Sequence, residues 1–351
     1  MKSPVSQNRK YQKVFWLLSI LIWVFLTVGC QKYAKDYEQF SQNEKIIIRF
    51  SHVVGEDTPK GQAARKFAQL MKERSKGKVE VQVFANGSLY RDGEEWEALQ
   101  RNDVQIIAPA MSKLIQKIPE LQVFDLPFYY ENLEQIHQLA DGKVGKMVFE
   151  SAKKNKVLPL AIWDNGFKQF TNRDHSLHTP KDFANLKFRI MPSPILEDQF
   201  SLLDAKAEAR NFNDVYQALK NKEVDGQENT ISNIYTKRFF DVQDYLILSN
   251  HGYLGYLVMM NKDFYNTLSP EIQKMIQTTM NEVTIWERKK AQEIEQNQLK
   301  QIRECQCIKI ENLTREEKDE FKKLYQPLYQ KVKRDLGKVM DETEIIVNQK
   351  K

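Results

Sequence analysis

The sequence predicts an α/β fold built in two units, and three observations carry that expectation. Apolar runs of strand character alternate with helical stretches from residue 45 onward. The alternation starts afresh near residue 157, and one long helix-forming stretch follows from Pro270 to about residue 304. Alternation of this kind argues a mostly parallel sheet with helices on its faces. The 322 residues that follow an expected N-terminal leader suffice for two domains of ordinary size.

Taken in order, residues 45–50 read as a buried strand. Ala63, Ala64, Phe67, Leu70 and Met71 then recur at helical spacing across residues 60–72. Residues 79–84 alternate as a strand, 94–101 are helical, and 104–108 form a further apolar strand. In the second unit, 157–163 and 185–190 read as strands, 195–203 and 214–222 as helices. Residues 171–180 are expected to be a loop, closed by a helix start at Thr179-Pro180-Lys181-Asp182, with Thr as cap and Pro in the first turn. A strand over 253–260 is long enough to run back to the first unit. In the long helix, Ile272, Met275, Ile276, Met280, Val283 and Trp286 form an apolar stripe. Beyond Trp286 the helix turns polar, as one crossing between units would.

The first thirty residues stand apart. Lys2, Arg9, Lys10 and Lys13 precede fifteen residues, 14–28, that carry no charge. That run is shorter than the roughly 20 residues of a membrane span, and its flanks are those of a secretory leader. It ends in Gly29-Cys30, similar to a bacterial lipoprotein cleavage box, although Thr27 stands where a branched apolar residue is usual. The expectation is a leader over 1–29, Cys30 as the acylated N-terminus, and a polar tether over 30–44. An uncleaved N-terminal anchor is the alternative. Both put the rest of the chain outside the cytoplasmic membrane.

Charge and composition exclude several functions. Without the four basic leader residues, 49 basic side chains face 47 acidic ones. No basic block with interleaved aromatics supports nucleic-acid binding. Cys305 and Cys307 are expected on a strand as packing thiols, with an exposed reactive thiol as the alternative. A bridge closing so small a ring would be strained, and a thiolate metal site lacks two further ligands. His175 and His178 lie in the expected loop, without the register a metal site needs. No phosphate-cradling glycine loop, dinucleotide fingerprint or serine elbow occurs. No cofactor or metal is called for.

Three groups are candidates for binding an anion. Arg189 lies on an alternating strand that Pro192 ends, and ligands of open α/β sheets bind beyond such ends. A guanidinium fork matches a carboxylate with two parallel hydrogen bonds; a surface ion pair is the alternative. Lys168 follows Asn165-Gly166 at an expected strand end, where it suits a second carboxylate or is simply solvated. Asn229 closes an acid-rich turn in which Gly226 allows unusual backbone angles, and its amide either donates to a ligand or caps its own backbone. Asp225 or Glu228 with a histidine would be needed for a secreted hydrolase, but no paired base is identifiable.

Residues 166–173, 186–193, 213–219 and 224–229 resemble the second lobe of TRAP-transporter solute-binding proteins. Residues 123–128 resemble their first-lobe turn, while 232–236 and 250–256 resemble the C4-dicarboxylate branch. The resemblance covers about residues 45–345. It implies a two-lobe periplasmic-binding-protein-like fold with a ligand cleft between the lobes and a long helix crossing both. The expected boundaries are 45–166 plus 255–294 for one lobe and 167–254 plus 295–349 for the other. The family's clamping arginine falls on Arg189, its second basic residue on Lys168, its pocket asparagine on Asn229 and its pocket aromatic on Phe212. First-lobe contacts fall on His52, Asp92 and Lys113. Asp204 replaces a usual glycine and Thr230 a usual proline. What the resemblance implies is a monomeric, non-catalytic receptor, tethered to the membrane by lipid, that passes succinate, malate or fumarate to a TRAP permease. The alternatives are a receptor for a monocarboxylate or sugar acid, and an accessory sensor for a signalling system.

Overall fold

The computed structural model describes residues 45–349; the expected leader, Cys30 and the tether fall outside the described residues. β1 (Ile46–Ser51) leads into α1 (Pro59–Arg74), whose cap Thr58 accepts from Gly61 N at 3.1 Å. Ala63, Ala64, Phe67 and Met71 form the buried face of α1, the small pair allowing close approach to the sheet. β2 (Val79–Phe84), α2 (Glu95–Gln100) and a short β3 (Ile106–Ile107) follow. Two helices, α3 (Leu133–Asp141) and α4 (Lys143–Lys153), precede β4 (Val157–Asn172). Then come β5 (Lys187–Ile190), α5 (Pro194–Ser201), β6 (Lys206–Ala209), α6 (Val215–Lys220), β7 (Gly226–Thr230) and α7 (Ile231–Thr236). β8 (Tyr245–Asn261), α8 (Lys262–Thr267) and the long α9 (Pro270–Cys305) complete the middle of the chain. β9 (Lys309–Asn312), α10 (Arg315–Leu324), α11 (Gln326–Leu336) and α12 (Lys338–Val347) close it.

All nine described strands form one sheet in the order β2-β1-β3-β8-β4-β7-β5-β6, with β9 beside β8. The flanks are parallel, β1 against β2 and β3, β5 against β6 and β7. The centre is antiparallel, β8 against β3 and β4, β4 against β7. With β8 against β9 also parallel, five of the eight pairings fit the expected mostly parallel sheet, and the antiparallel centre is the departure from it. It also shows why the sequence misled. β4 does not end at Trp163: it runs on through the expected loop start to Asn172, slipping register against β8 between Asp164 and Gly166. Gly166 has φ 115°, so the Asn-Gly pair makes a bulge that bends the strand instead of a turn that stops it. The bend is pinned by α9, where Glu287 accepts from Asp164 N at 3.0 Å. Burial, with Asp164 alongside, holds that Glu287 carboxyl well above its ordinary range.

Gly226 has a different role from the one its sequence suggests. It opens β7 rather than a turn, and a Cβ there would meet Thr171 O at 2.4 Å and the Phe188 ring at 2.7 Å. Close approach, not backbone freedom, requires glycine. The two departures from the resembled pattern are also absorbed locally. Asp204 adopts φ 53°, the left-handed region that suits glycine. Thr230 caps α7.

α9 has 36 residues, a span of about 54 Å at 1.5 Å per residue. Its buried stripe does not stop at Trp286, which is only half-buried. It continues through Glu287, Ala291, Ile294 and Gln298 to Ile302, so the polar half of the helix still packs. The helix lies against α1, β4 and α7. Cys305 is its last residue, not a strand residue, and Gln306 at φ 52° turns the chain back. The structure joins Cys305 to Cys307 in a disulfide with Cα atoms 5.2 Å apart, which corrects the expectation of two packing thiols.

Candidate functional site

Four strand ends meet at one cavity of about 20 Å³. Val53 and Val54 come from the end of β1, Pro109, Ala110 and Lys113 from beyond β3, Arg189 and Met191 from the end of β5, and Asn229 from β7. Lys60 at the start of α1, Asp92, Phe212, Asn233 of α7, and Leu254 and Tyr256 of β8 close it. Parallel strands that run into the same region bring their carboxyl ends together, which is where open α/β sheets bind ligands.

Arg189 is 2% exposed. Its Nε and Nη2 donate to the carbonyl of Arg210 at 3.1 and 2.7 Å, leaving Nη1 without an acceptor among the described residues. No carboxylate there forms an ion pair with it either, so the surface-pair alternative does not describe this arginine. Burial lowers its pKa to about 10 against the pull of Asp92 and Glu228, and it stays charged at neutral pH.

Asp92 is committed on both sides. One oxygen is ion-paired with Lys113, and the other accepts from Phe212 N at 2.6 Å. Burial opposes ionisation, yet the Lys113 charge beside it holds the carboxyl below its ordinary value. Burial likewise lowers the pKa of Lys113.

Two lining residues escaped the sequence reading. Lys60 is fully buried; its Nζ donates to Ala108 O at 2.8 Å and sits 3.6 Å from the centre of the Tyr256 ring. No carboxylate pairs with it among the described residues, and burial brings it down to about 7. Nearby Glu95 is pushed up to about 7, also by burial. The sequence does carry a sign of Lys60. It stands three, four and seven residues before Ala63, Ala64 and Phe67, so it heads the buried stripe of α1. Asn233 is the second: its Nδ2 donates to Asn229 Oδ1 at 2.7 Å. Asn229 Oδ1 also accepts from Thr230 N at 3.2 Å, so its own Nδ2 is unclaimed among the described residues.

Five of the seven expected residues thus share this cavity: Arg189, Asn229, Phe212, Asp92 and Lys113. The other two do not line it. His52 is fully buried, adjoining the lining residues Val53 and Val54 in sequence, and burial lowers its pKa to about 3, leaving a neutral ring. Lys168 lies in mid-strand because β4 continues past Gly166. Its ammonium is ion-paired with Glu228, which also accepts from His251 Nε2 at 2.8 Å and Gln199 Nε2 at 3.1 Å. Burial pushes against that carboxylate, but Lys168 and His251 hold it down at about 2. The charge of Lys168 is therefore spent inside the protein. The two loop histidines bind carboxylates and backbone instead, His178 between Glu311 and Glu317, His175 on Asp182 O. Among the described residues no group of three or more His, Cys, Asp or Glu side chains is arranged to hold a metal.

Residues 50–335 match the family model described as bacterial extracellular solute-binding protein, family 7. The C4-dicarboxylate-binding protein DctB of Bacillus subtilis is 44% identical over 310 residues, spanning 88% of this chain and 89% of the relative. The C4-dicarboxylate-binding periplasmic protein DctP of Rhodobacter capsulatus is 37% identical over 295 residues, 84% of this chain and 88% of the relative. Among solved structures, a TRAP periplasmic solute binding protein from Sulfurospirillum deleyianum with bound succinate superimposes with TM-score 0.81 at 37% identity, covering 86% of this chain and 98% of that one. One from Pseudomonas aeruginosa with bound L-malate gives TM-score 0.79 at 34% identity, over 81% and 99%.

Proposed function

The chain belongs to the bacterial extracellular solute-binding protein family 7, and on that premise we propose that it is a TRAP-transporter receptor that captures a C4-dicarboxylate outside the cytoplasmic membrane. One observation carries the reading. Arg189 and Lys60 are both buried in the same cavity, both retain unfilled donors, and neither has an ion-pair partner among the described residues. A buried unpaired charge is costly, and two of them in one cavity suit a ligand with two carboxylates. Arg189 takes one carboxylate through its free Nη1 edge, with the Asn229 amide beside it. Lys60 takes the other. Lys168, the residue first expected there, is not needed.

The protein carries out no reaction. Its two lobes, 45–166 plus 255–294 and 167–254 plus 295–349, close on the ligand, and the closed form docks on the permease. The bulge at Gly166 and the facing Leu254-Gly255 stretch of β8 support that boundary. Cys30 holds the receptor at the membrane as a lipoprotein, and it acts as a monomer. A simple monocarboxylate would leave Lys60 unfilled, and a sugar acid would meet it with neutral hydroxyls instead of a second charge. Calorimetry with succinate and butyrate tests the reading: succinate is expected to bind much more tightly, and equal affinity would sink the dicarboxylate assignment.

A further inference from the structure

The anion-binding reading leaves one cavity atom unexplained. Asn233 is 3% exposed and lines the cavity, yet its Oδ1 is a buried acceptor with no partner among the described residues. The orientation of this amide is determined by its neighbours. Thr230 N can only donate, so the Asn229 atom it meets at 3.2 Å must be the oxygen. That oxygen accepts in turn from Asn233 at 2.7 Å, so Asn233 must present its nitrogen there. Its oxygen is left over. A buried acceptor without a donor costs about 1–3 kcal/mol, and a carboxylate oxygen placed near it would be repelled, not bound. Neighbouring side chains leave it unpaired: the Lys60 ammonium is directed at Ala108 O and the Tyr256 ring, the Asn165 amide donates to Tyr256 OH at 2.8 Å, and that hydroxyl, although beside the Asn233 amide, makes no hydrogen bond to its oxygen.

We propose that Asn233 is a specificity-determining residue whose Oδ1 accepts a hydrogen bond from a ligand hydroxyl, so that the preferred ligand is a 2-hydroxy C4-dicarboxylate. This rests on the receptor reading above and narrows it. A site built to hydrogen-bond a hydroxyl discriminates against the analogue lacking it, because the buried acceptor is then left unpaired. An ammonium at the same position of the ligand would also suit an amide oxygen, but it would bring a third positive charge against Arg189 and Lys60.

Titration calorimetry of the full chain with L-malate, succinate and L-aspartate tests the assignment. The parent is expected to bind L-malate roughly 5- to 150-fold more tightly than succinate, the ratio that an unpaired acceptor implies, and L-aspartate more weakly than L-malate. Asn233→Leu, which removes the acceptor at similar volume, should bring the L-malate and succinate affinities to the same level; because it also removes the bond to Asn229, both acids are expected to bind more weakly than to the parent, and the ratio between them is the readout. Retained succinate binding shows that the variant is folded; should Asn233→Leu bind neither acid, Asn233→Ala is read by the same criterion. Equal affinity of the parent for L-malate and succinate would overturn the proposal, as would an L-malate preference that survives in the variant. L-Aspartate binding as tightly as L-malate would overturn the assignment to a hydroxyl. If the parent binds no dicarboxylate at all, the receptor reading fails, and this assignment falls with it.

Discussion

Two buried lysines in this molecule are alike in burial and opposite in what they offer. Lys168 and Lys60 both have no exposed surface. Lys168 sits in a closed knot with Glu228, which His251 and Gln199 complete. Lys60 faces a cavity, with one carbonyl and one aromatic ring for company. Burial of a charge therefore does not identify a ligand site; the unfilled donors beside it do. The same contrast separates Asp92, committed on both oxygens, from Arg189, which keeps an edge free.

The sharpest way to break the comparison is Lys168→Met. It leaves Glu228 as an uncompensated buried charge, and the expected outcome is a loss of about 3–5 kcal/mol in urea unfolding. If stability is unchanged while succinate affinity collapses, the two lysines have been assigned the wrong way round. Arg189→Lys comes next. It keeps the charge but loses the forked geometry, and affinity should fall by about 2–4 kcal/mol, roughly 30- to 1,000-fold, with the unliganded protein nearly as stable as the parent. Unfolding of the unliganded variant would make Arg189 structural. Lys60→Met should be milder. Succinate affinity is expected to fall by about 1–3 kcal/mol, butyrate affinity to hold, and the unliganded protein to gain slightly, since a buried unpaired charge has been removed.

The smallest effect concerns pH. Lys60 and Glu95 both change charge near 7. Raising pH removes a positive charge and adds a negative one, so succinate affinity should decline roughly tenfold between pH 6 and pH 8. The linked stability terms have opposite signs. Glu95 binds its proton more tightly folded than unfolded, so its contribution falls as pH rises from about 4.5 to 7. Lys60 binds its proton less tightly folded, so stability recovers from about 7 to 10.5. Lys60→Met and Glu95→Gln should each flatten the affinity profile; an unaltered slope in both would place the titration elsewhere.

Much of the fold was legible because it is written locally. Thr179-Pro180 and Pro270 mark the starts of a short 3-10 turn and of the long helix that the structure contains, and the stop at Pro192 leaves Arg189 at a strand end. What stayed hidden depends on partners distant in sequence. Asn165-Gly166 reads as a turn until β8 supplies the register in which it becomes a bulge. Lys168 reads as free until β7 brings Glu228 to it. Lys60 goes unnoticed unless its place at the head of the apolar stripe is given weight. Asn229 and Asn233 are four apart, yet the strand-to-helix junction between them hides their pairing.

Asp92 grips Lys113 and the backbone amide of Phe212, stretches 21 and 120 residues away. It is in effect a resident anion, a permanent competitor for one of the cleft's cations. Any solute must bind in its presence, and because Asp92 already holds Lys113, the cleft presents an incoming dianion with two uncompensated cations, Arg189 and Lys60, and not with three.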